Sequence, residues 1–297
     1  MSIRGWAARR VSDSRKRISK ECDMTASTAP ATTSSTVSSA DGTRIAFTRV
    51  GQGPAVILVD GALCYREFGP TGKVAEELKD RFTVYTYDRR GRGQSGDAPS
   101  YDPAREIEDL AALIEQAGGR AHVCGVSSGA ALSLEAARRG LPISRLALYE
   151  APFIVDDSRA PVPDDHVTKL QEAIAAGKPG NAVRRFMRIV GMPAVMVAAM
   201  RFMPGWSKLK KVAHTLPYDA SFVDDFQKGK PLPAGRWASV TVPTAVIDGG
   251  KSPAWMRNAN AAIASAVPGS TYRTLQGQTH MVKPDVLASA LAQHLTA

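Results

Sequence analysis

The sequence predicts an α/β fold: a mostly parallel sheet covered on both faces by helices, with an inserted all-helical segment. Three observations carry this. Short β-rich runs alternate with helical periods over most of the chain. Between about 151 and 242 the alternation stops and only helical patterns remain, separated by residues such as Gly177, Pro179, Pro204 and Pro217. It then resumes to the C-terminus.

In order, Arg44 to Val50 alternates and is rich in β-formers, as a half-buried strand requires. Gly51-Gln52-Gly53-Pro54 is a turn. Ala55-Val56-Ile57-Leu58-Val59 is continuously apolar, the pattern of a strand covered on both faces. Lys73 to Leu78 suits a helix and Phe82 to Tyr87 a strand. Ile107, Leu110, Ala111 and Ile114 fall on one helical face within Ala104 to Ala117. Ala121 to Cys124 is a short buried strand, and Ala130 to Arg139 a helix closing on Gly140. Ile143 to Tyr149, Thr244 to Ile247 and Thr271 to Leu275 are strands, and Pro284 to Leu295 is the last helix.

The 297 residues, 44% of them hydrophobic, suffice for one large domain with an insertion. The net charge is +10, and seven of the cations lie among the first twenty residues. The remaining charges are interspersed with acids and read as a solvated surface. That predicts neither nucleic acid nor a membrane as partner. Residues 1–36 read as a leader, basic and then Ser/Thr-rich. It lacks the apolar stretch of a secretory signal, and its composition predicts disorder. No apolar run spans a bilayer. Cys22, Cys64 and Cys124 have no motif spacing, so neither a disulfide nor a cysteine metal site is expected. That usage fits a cytoplasmic protein. Monomer and homodimer both remain open.

Gly125-Val126-Ser127-Ser128-Gly129 is the most informative stretch. A strand precedes it and a helix follows it. A serine on such a turn has its Oγ lifted clear of the backbone, and small flanking residues let the chain turn without clashes. Five of the nine methionines (Met187, Met192, Met196, Met200 and Met203) lie in the helical insertion. They suggest an adaptable apolar roof over a site, or simply the insertion's own core.

With these residues in view, the chain from about Val37 onward resembles the α/β-hydrolase family. Val56 to Gly61 looks like the family's strand and turn that begin the oxyanion hole. Asp88-Arg89-Arg90-Gly91-Arg92-Gly93-Gln94-Ser95 is similar to its Asp-x-Arg-Gly-x-Gly-x-Ser stretch. Gly125 to Gly129 matches the nucleophile elbow, and Gly277-Gln278-Thr279-His280 the loop that presents a histidine. The resemblance implies an eight-stranded sheet, a core over 37–150 and 243–297, and a helical lid over 151–242. It implies Ser127 as nucleophile and His280 as base. His122, His166, His214 and His294 are expected to be ordinary core or surface histidines.

The acid is less settled. Its usual place in the family, just after the strand ending near Ile247, is taken by Ser252. Some relatives carry it after the preceding strand, which here is Glu150. Glu150 is favoured, Asp248 is the alternative, and Asp156 and Asp157 stand behind them. The oxyanion hole is expected from the N–H groups of Ala62 and Ser128. Asp60 stands where the family usually has histidine; an ionised carboxylate pointing inward would oppose an oxyanion, and a salt bridge to Arg66 or Arg89 would relieve this.

The resemblance thus implies a serine hydrolase cleaving a carboxylic ester of a small hydrophobic molecule, without metal or cofactor. A lactonase or C–C bond hydrolase with the same triad, or a non-catalytic ligand-binding member, are the alternatives.

Overall fold

The computed structural model describes residues 32–297. The first strands are β1 (Thr33–Ser38), β2 (Arg44–Val50) and β3 (Ala55–Val59). They are followed by α1 (Thr71–Leu78), β4 (Thr83–Tyr87), α2 (Pro103–Gln116), β5 (Ala121–Val126), α3 (Ser128–Arg138) and β6 (Ile143–Tyr149). Helices α4 (His166–Ala175), α5 (Pro179–Ile189), α6 (Ala194–Ala199), α7 (Trp206–Lys211) and α8 (Leu216–Val223) come next, with short 3-10 turns among them. The chain closes with β7 (Thr244–Gly249), α9 (Ala254–Ala266), β8 (Thr271–Leu275) and α10 (Pro284–Thr296).

The eight strands form one sheet in the order β1-β2-β4-β3-β5-β6-β7-β8. Only β2 runs antiparallel to its neighbours β1 and β4; the pairs from β4 to β8 are parallel. The fold is therefore the mostly parallel eight-stranded sheet with an inserted helical cap.

Side-chain alternation sends each central strand's residues to opposite faces. Ile57, Val59, Val123, Leu146, Leu148 and Val246 pack with residues of α2, α3 and α9. Val56, Leu58, Cys124, Ala147, Tyr149, Ala245 and Ile247 pack with those of α1 and α10. Both faces are thus dry, which is why these strands read as unbroken apolar runs. Helix α2 begins where Asp102 accepts the Ala104 N–H at 2.8 Å, with Pro103 in its first turn.

Two expectations need correction. Thr33 to Thr36 fall in the predicted leader but form most of β1, paired in register with β2. Their side chains are exposed and of the strand's residues Val37 alone packs on the core, so β1 is held mainly by main-chain hydrogen bonds and shows little apolar signature. The rest of the leader, with its basic run and Cys22, lies outside the described residues. The second correction concerns charge. Arg89, Arg90 and Arg92 are not solvated but buried, paired with Glu106, Asp109 and Asp219. No helix among the described residues is long and apolar enough to cross a membrane.

Candidate active site

Ser127 sits between the end of β5 and the start of α3 with φ 58° and ψ −125°. A non-glycine residue at positive φ is strained and persists only where its surroundings dictate it. Here the Ser127 N–H donates to the Tyr149 carbonyl at 2.9 Å, and the Ser127 carbonyl accepts from the Ala130 N–H at 2.9 Å. The flanking glycines are required by close approach. A Cβ on Gly125 would lie 2.4 Å from the Gly129 oxygen, and one on Gly129 would lie 2.3 Å from the Val59 oxygen.

Glu150 follows β6 directly and also has positive φ, 49°. Its side chain is 0% exposed. One carboxylate oxygen accepts the Gly249 N–H at 2.7 Å, and the other lies 2.8 Å from His280 Nδ1. That contact leaves Nε2 as the imidazole's second working nitrogen. The loop carrying His280 is braced where the Tyr149 hydroxyl donates to the Thr279 carbonyl at 2.7 Å. The Lys251 N–H donates to the Gln278 carbonyl at 2.8 Å.

Asp248 lies elsewhere. It is buried near the end of β7, where one oxygen accepts from the Tyr272 hydroxyl and the other has no partner among the described residues. Asp156 is engaged by Ser158 and Asn258, and Asp157 is exposed. Ser252 is buried with an unpartnered hydroxyl. The structure therefore brings Glu150, and none of these others, to His280.

The turn after β3 packs against the elbow. A Cβ on Gly61 would lie 2.9 Å from the Ser127 Cβ, so only glycine lets Ala62 come so near. The Ala62 and Ser128 N–H groups meet no acceptor among the described residues. Ser128 opens α3, where the first N–H groups lack intrahelical partners. Leu63, two residues beyond Gly61, is the third non-glycine residue at positive φ, 62°. Leu63, Ser127 and Glu150 lie beyond the C-terminal ends of three adjacent strands, β3, β5 and β6. Strain is concentrated at the edge where α/β sheets place their ligands.

Neither Arg66 nor Arg89 forms a salt bridge with Asp60. Arg66 pairs with Asp88 at 3.0 Å, and Arg89 reaches only the Asp60 main-chain oxygen, at 3.2 Å. The Asp60 carboxyl turns into the interior, where it accepts from the Thr71 hydroxyl at 2.5 Å and keeps its other oxygen unpartnered. Burial pushes its pKa up to about 6. Its space is defined by Gly69, where a Cβ would lie 2.7 Å from the carboxylate.

Ser127, Ser128, Ala62 and His280 line one chamber with about 880 Å³ of empty space, open solvent at its mouth included. That is room for a small organic molecule. The cap contributes Phe186, Ile189, Val190, Leu216 and Val223; Pro253, Trp255 and Met256 come from the β7–α9 side. The five cap methionines do not form the roof. None lines the chamber, Met196 and Met203 face solvent, and Met187 packs in the cap's own small core. Helical spacing alone gave no means of separating their inward and outward directions.

Two chamber residues escaped the sequence reading. His166, expected to be an ordinary cap histidine, is buried in the chamber wall with its Nδ1 unpartnered. Burial, then the nearby Arg185 charge, lower its pKa to about 4, so it is neutral near pH 7. Asp219, on α8, accepts from Arg89 at 2.6 Å, Arg92 at 2.7 Å and the Ser128 hydroxyl at 2.7 Å. Burial works to raise its pKa, but Arg92 and Arg89 hold it below the ordinary range. The unusual Arg89-Arg90-Gly91-Arg92 run was the available signal, since buried arginines need carboxylates. No lysine or arginine among the described residues lines the chamber.

Residues 56–290 match the family model described as "Alpha/beta hydrolase family". The chain belongs to that family, a family of hydrolases. An alpha/beta hydrolase from Sphaerobacter thermophilus is 51% identical, with a TM-score of 0.81, over 88% of this chain and all of that one. The N-formylmaleamate deformylase of Pseudomonas putida is 35% identical over 131 residues, 41% of this chain and 47% of that protein. The chain thus spans about half the length of this curated relative. The enol-lactonase from Burkholderia xenovorans is 20% identical with a TM-score of 0.65, covering 89% of this chain and all of that one. It shares the fold.

Proposed function

We propose that the protein hydrolyses a carboxylic ester of a small, neutral, largely apolar molecule through an acyl-enzyme on Ser127. The observation that carries this is the 2.8 Å contact between buried Glu150 and His280 Nδ1 beside a chamber that Ser127 also lines. A carboxylate on Nδ1 fixes the imidazole tautomer with its lone pair on Nε2 and favours the cation formed when Nε2 takes a proton.

The sequence of steps follows. His280 Nε2 takes the Ser127 hydroxyl proton as Oγ bonds to the carbonyl carbon. The oxyanion is held by the N–H groups of Ala62 and Ser128, at the positive start of α3. The C–O bond to the alcohol breaks, and the alcohol leaves with the proton from His280. Water then attacks the acyl-enzyme with His280 again as base, releasing the acid and restoring Ser127.

The lining supports the substrate class. Besides Ser127, Ser128 and His280 its polar side chains are neutral His166, Gln227, the Trp255 indole, and Asp219, which is taken by Arg89, Arg92 and Ser128. An anionic substrate would meet no cation there. Treatment with a fluorescent organophosphonate is the test. Labelling of Ser127, lost in His280→Ala, is expected. Absence of labelling across about pH 6–9, where an ordinary imidazole passes into its basic form, would mean a non-catalytic ligand-binding protein. Hydrolysis of p-nitrophenyl esters of graded chain length, against a lactone panel, then separates the ester reading from the lactonase one.

A further inference from the structure

The outer face of the cap combines two properties that a solvated surface does not need. From residue 173 to 218 the chain holds eight lysines and arginines and no aspartate or glutamate. Among the described residues only Arg185 of the eight has an ion pair, with Asp165 at 2.8 Å. In the middle of this stretch, α6 and the turn after it expose Val195 (81%), Phe202 (76%), Met196 and Met203. Whole-chain charge counting hides this, because acids elsewhere offset the tally.

We propose that this face docks on a bilayer carrying anionic lipid headgroups, with Val195, Phe202 and Met203 entering the headgroup layer and Arg184 and Arg188, beside α6, and Arg201, over Phe202, pairing with its phosphates. Exposed apolar side chains ringed by cations are the arrangement an anionic interface rewards twice, by burial and by charge. A second copy of the chain is disfavoured, since the patch would meet its own positive charge. Nucleic acid is a poorer fit: valine and methionine offer no ring for a base, and the Phe202 ring is covered by Arg201, 4.6 Å from its centroid. Helix α5 joins the patch to the site. Phe186 and Ile189 line the chamber while Arg188 is exposed beside α6. Docking therefore sets the chamber next to the lipid.

The test is vesicle sedimentation with the full chain, which does not depend on Ser127 chemistry. Vesicles of mixed phosphatidylglycerol and phosphatidylcholine are compared with phosphatidylcholine alone. The wild type is expected to pellet with the first and not the second. Neutralising three charges in R184Q/R188Q/R201Q is expected to weaken binding on the order of 100-fold. V195S/F202S/M203S is expected to weaken it at least about tenfold. Unchanged circular dichroism melts show that both variants fold. Equal pelleting with both vesicle types overturns the proposal. So does wild-type binding by both variants, which would place the attachment on the basic leader. Binding to single-stranded RNA but not vesicles, or self-association lost in the serine variant, also overturns it.

Discussion

The carboxylate of Asp219, carried by a cap helix, accepts a hydrogen bond from the Ser128 hydroxyl at 2.7 Å, one residue beyond Ser127. The same carboxylate takes Arg89 and Arg92, which in turn reach the main-chain oxygens of Asp60 and Gly61. One buried ion cluster therefore ties the cap, the elbow and the turn after β3 into a single unit.

Breaking that cluster from the acid side leaves buried Arg92 without a carboxylate and Arg89 with Glu106 alone. Asp219→Ala is expected to cost about 3–5 kcal/mol in urea unfolding, the scale for one lost partner of a buried ion pair. Ser128→Ala removes the bond to Asp219 and a long one accepted from Arg89 at 3.4 Å, and is expected to cost about 1 kcal/mol. Equal losses for the two variants would show that Asp219 does not couple cap to core.

The two candidate acids separate by isosteric substitution. Glu150→Gln keeps the volume and can still accept the Gly249 N–H, but it no longer favours a protonated His280. Its kcat on a p-nitrophenyl ester is expected to fall about 10³–10⁴-fold. Asp248→Asn keeps a polar atom beside Tyr272 and is expected to stay within a few fold of wild type. The reverse ranking would move the acid to Asp248.

Gly61 is a direct probe of the geometry around Ser127. Gly61→Ala places a methyl group 2.9 Å from the Ser127 Cβ, closer than carbon atoms pack. The turn must recede, taking the Ala62 N–H with it. A kcat loss of about 10²-fold with little change in KM is expected, the size seen when one oxyanion donor is lost. A pure KM effect would remove Ala62 from that role.

Asp60 predicts a pH dependence of stability. Burial raises its pKa to about 6 in the folded protein, so the folded state binds more protons than the unfolded chain in the range between. Stability therefore falls as pH rises from about 4 to about 6, and the penalty is complete above that. Asp60→Asn can accept from Thr71 but does not ionise. Its stability relative to wild type is expected to be near zero at about pH 4 and to grow by about 2–3 kcal/mol by pH 7. Parallel melts across that range measure it. A difference that does not change with pH would show that burial leaves the Asp60 pKa at its unfolded value.

Much of this was legible beforehand because the deciding forces are local or periodic. Strands dry on both faces need unbroken apolar runs, so Ala55–Val59 and Thr244–Ile247 announced themselves. The Ser127 turn did too, since only glycine tolerates atoms as close as those around positions 125 and 129. Strand β1 was missed because its stabilisation is mainly in main-chain hydrogen bonds, which no side chain records.

What the chain by itself determined is the α/β class, the helical insertion and the serine turn, all of which follow from period, composition and steric tolerance over a few neighbouring residues. Tertiary structure alone decided which carboxylate meets His280, where Asp60 hides, that His166 and Asp219 wall the chamber, and that the cap methionines turn away from it. Those are contacts between residues up to 130 positions apart. Their energies depend on burial and distance, and neither exists until the sheet has closed and the cap has settled on it.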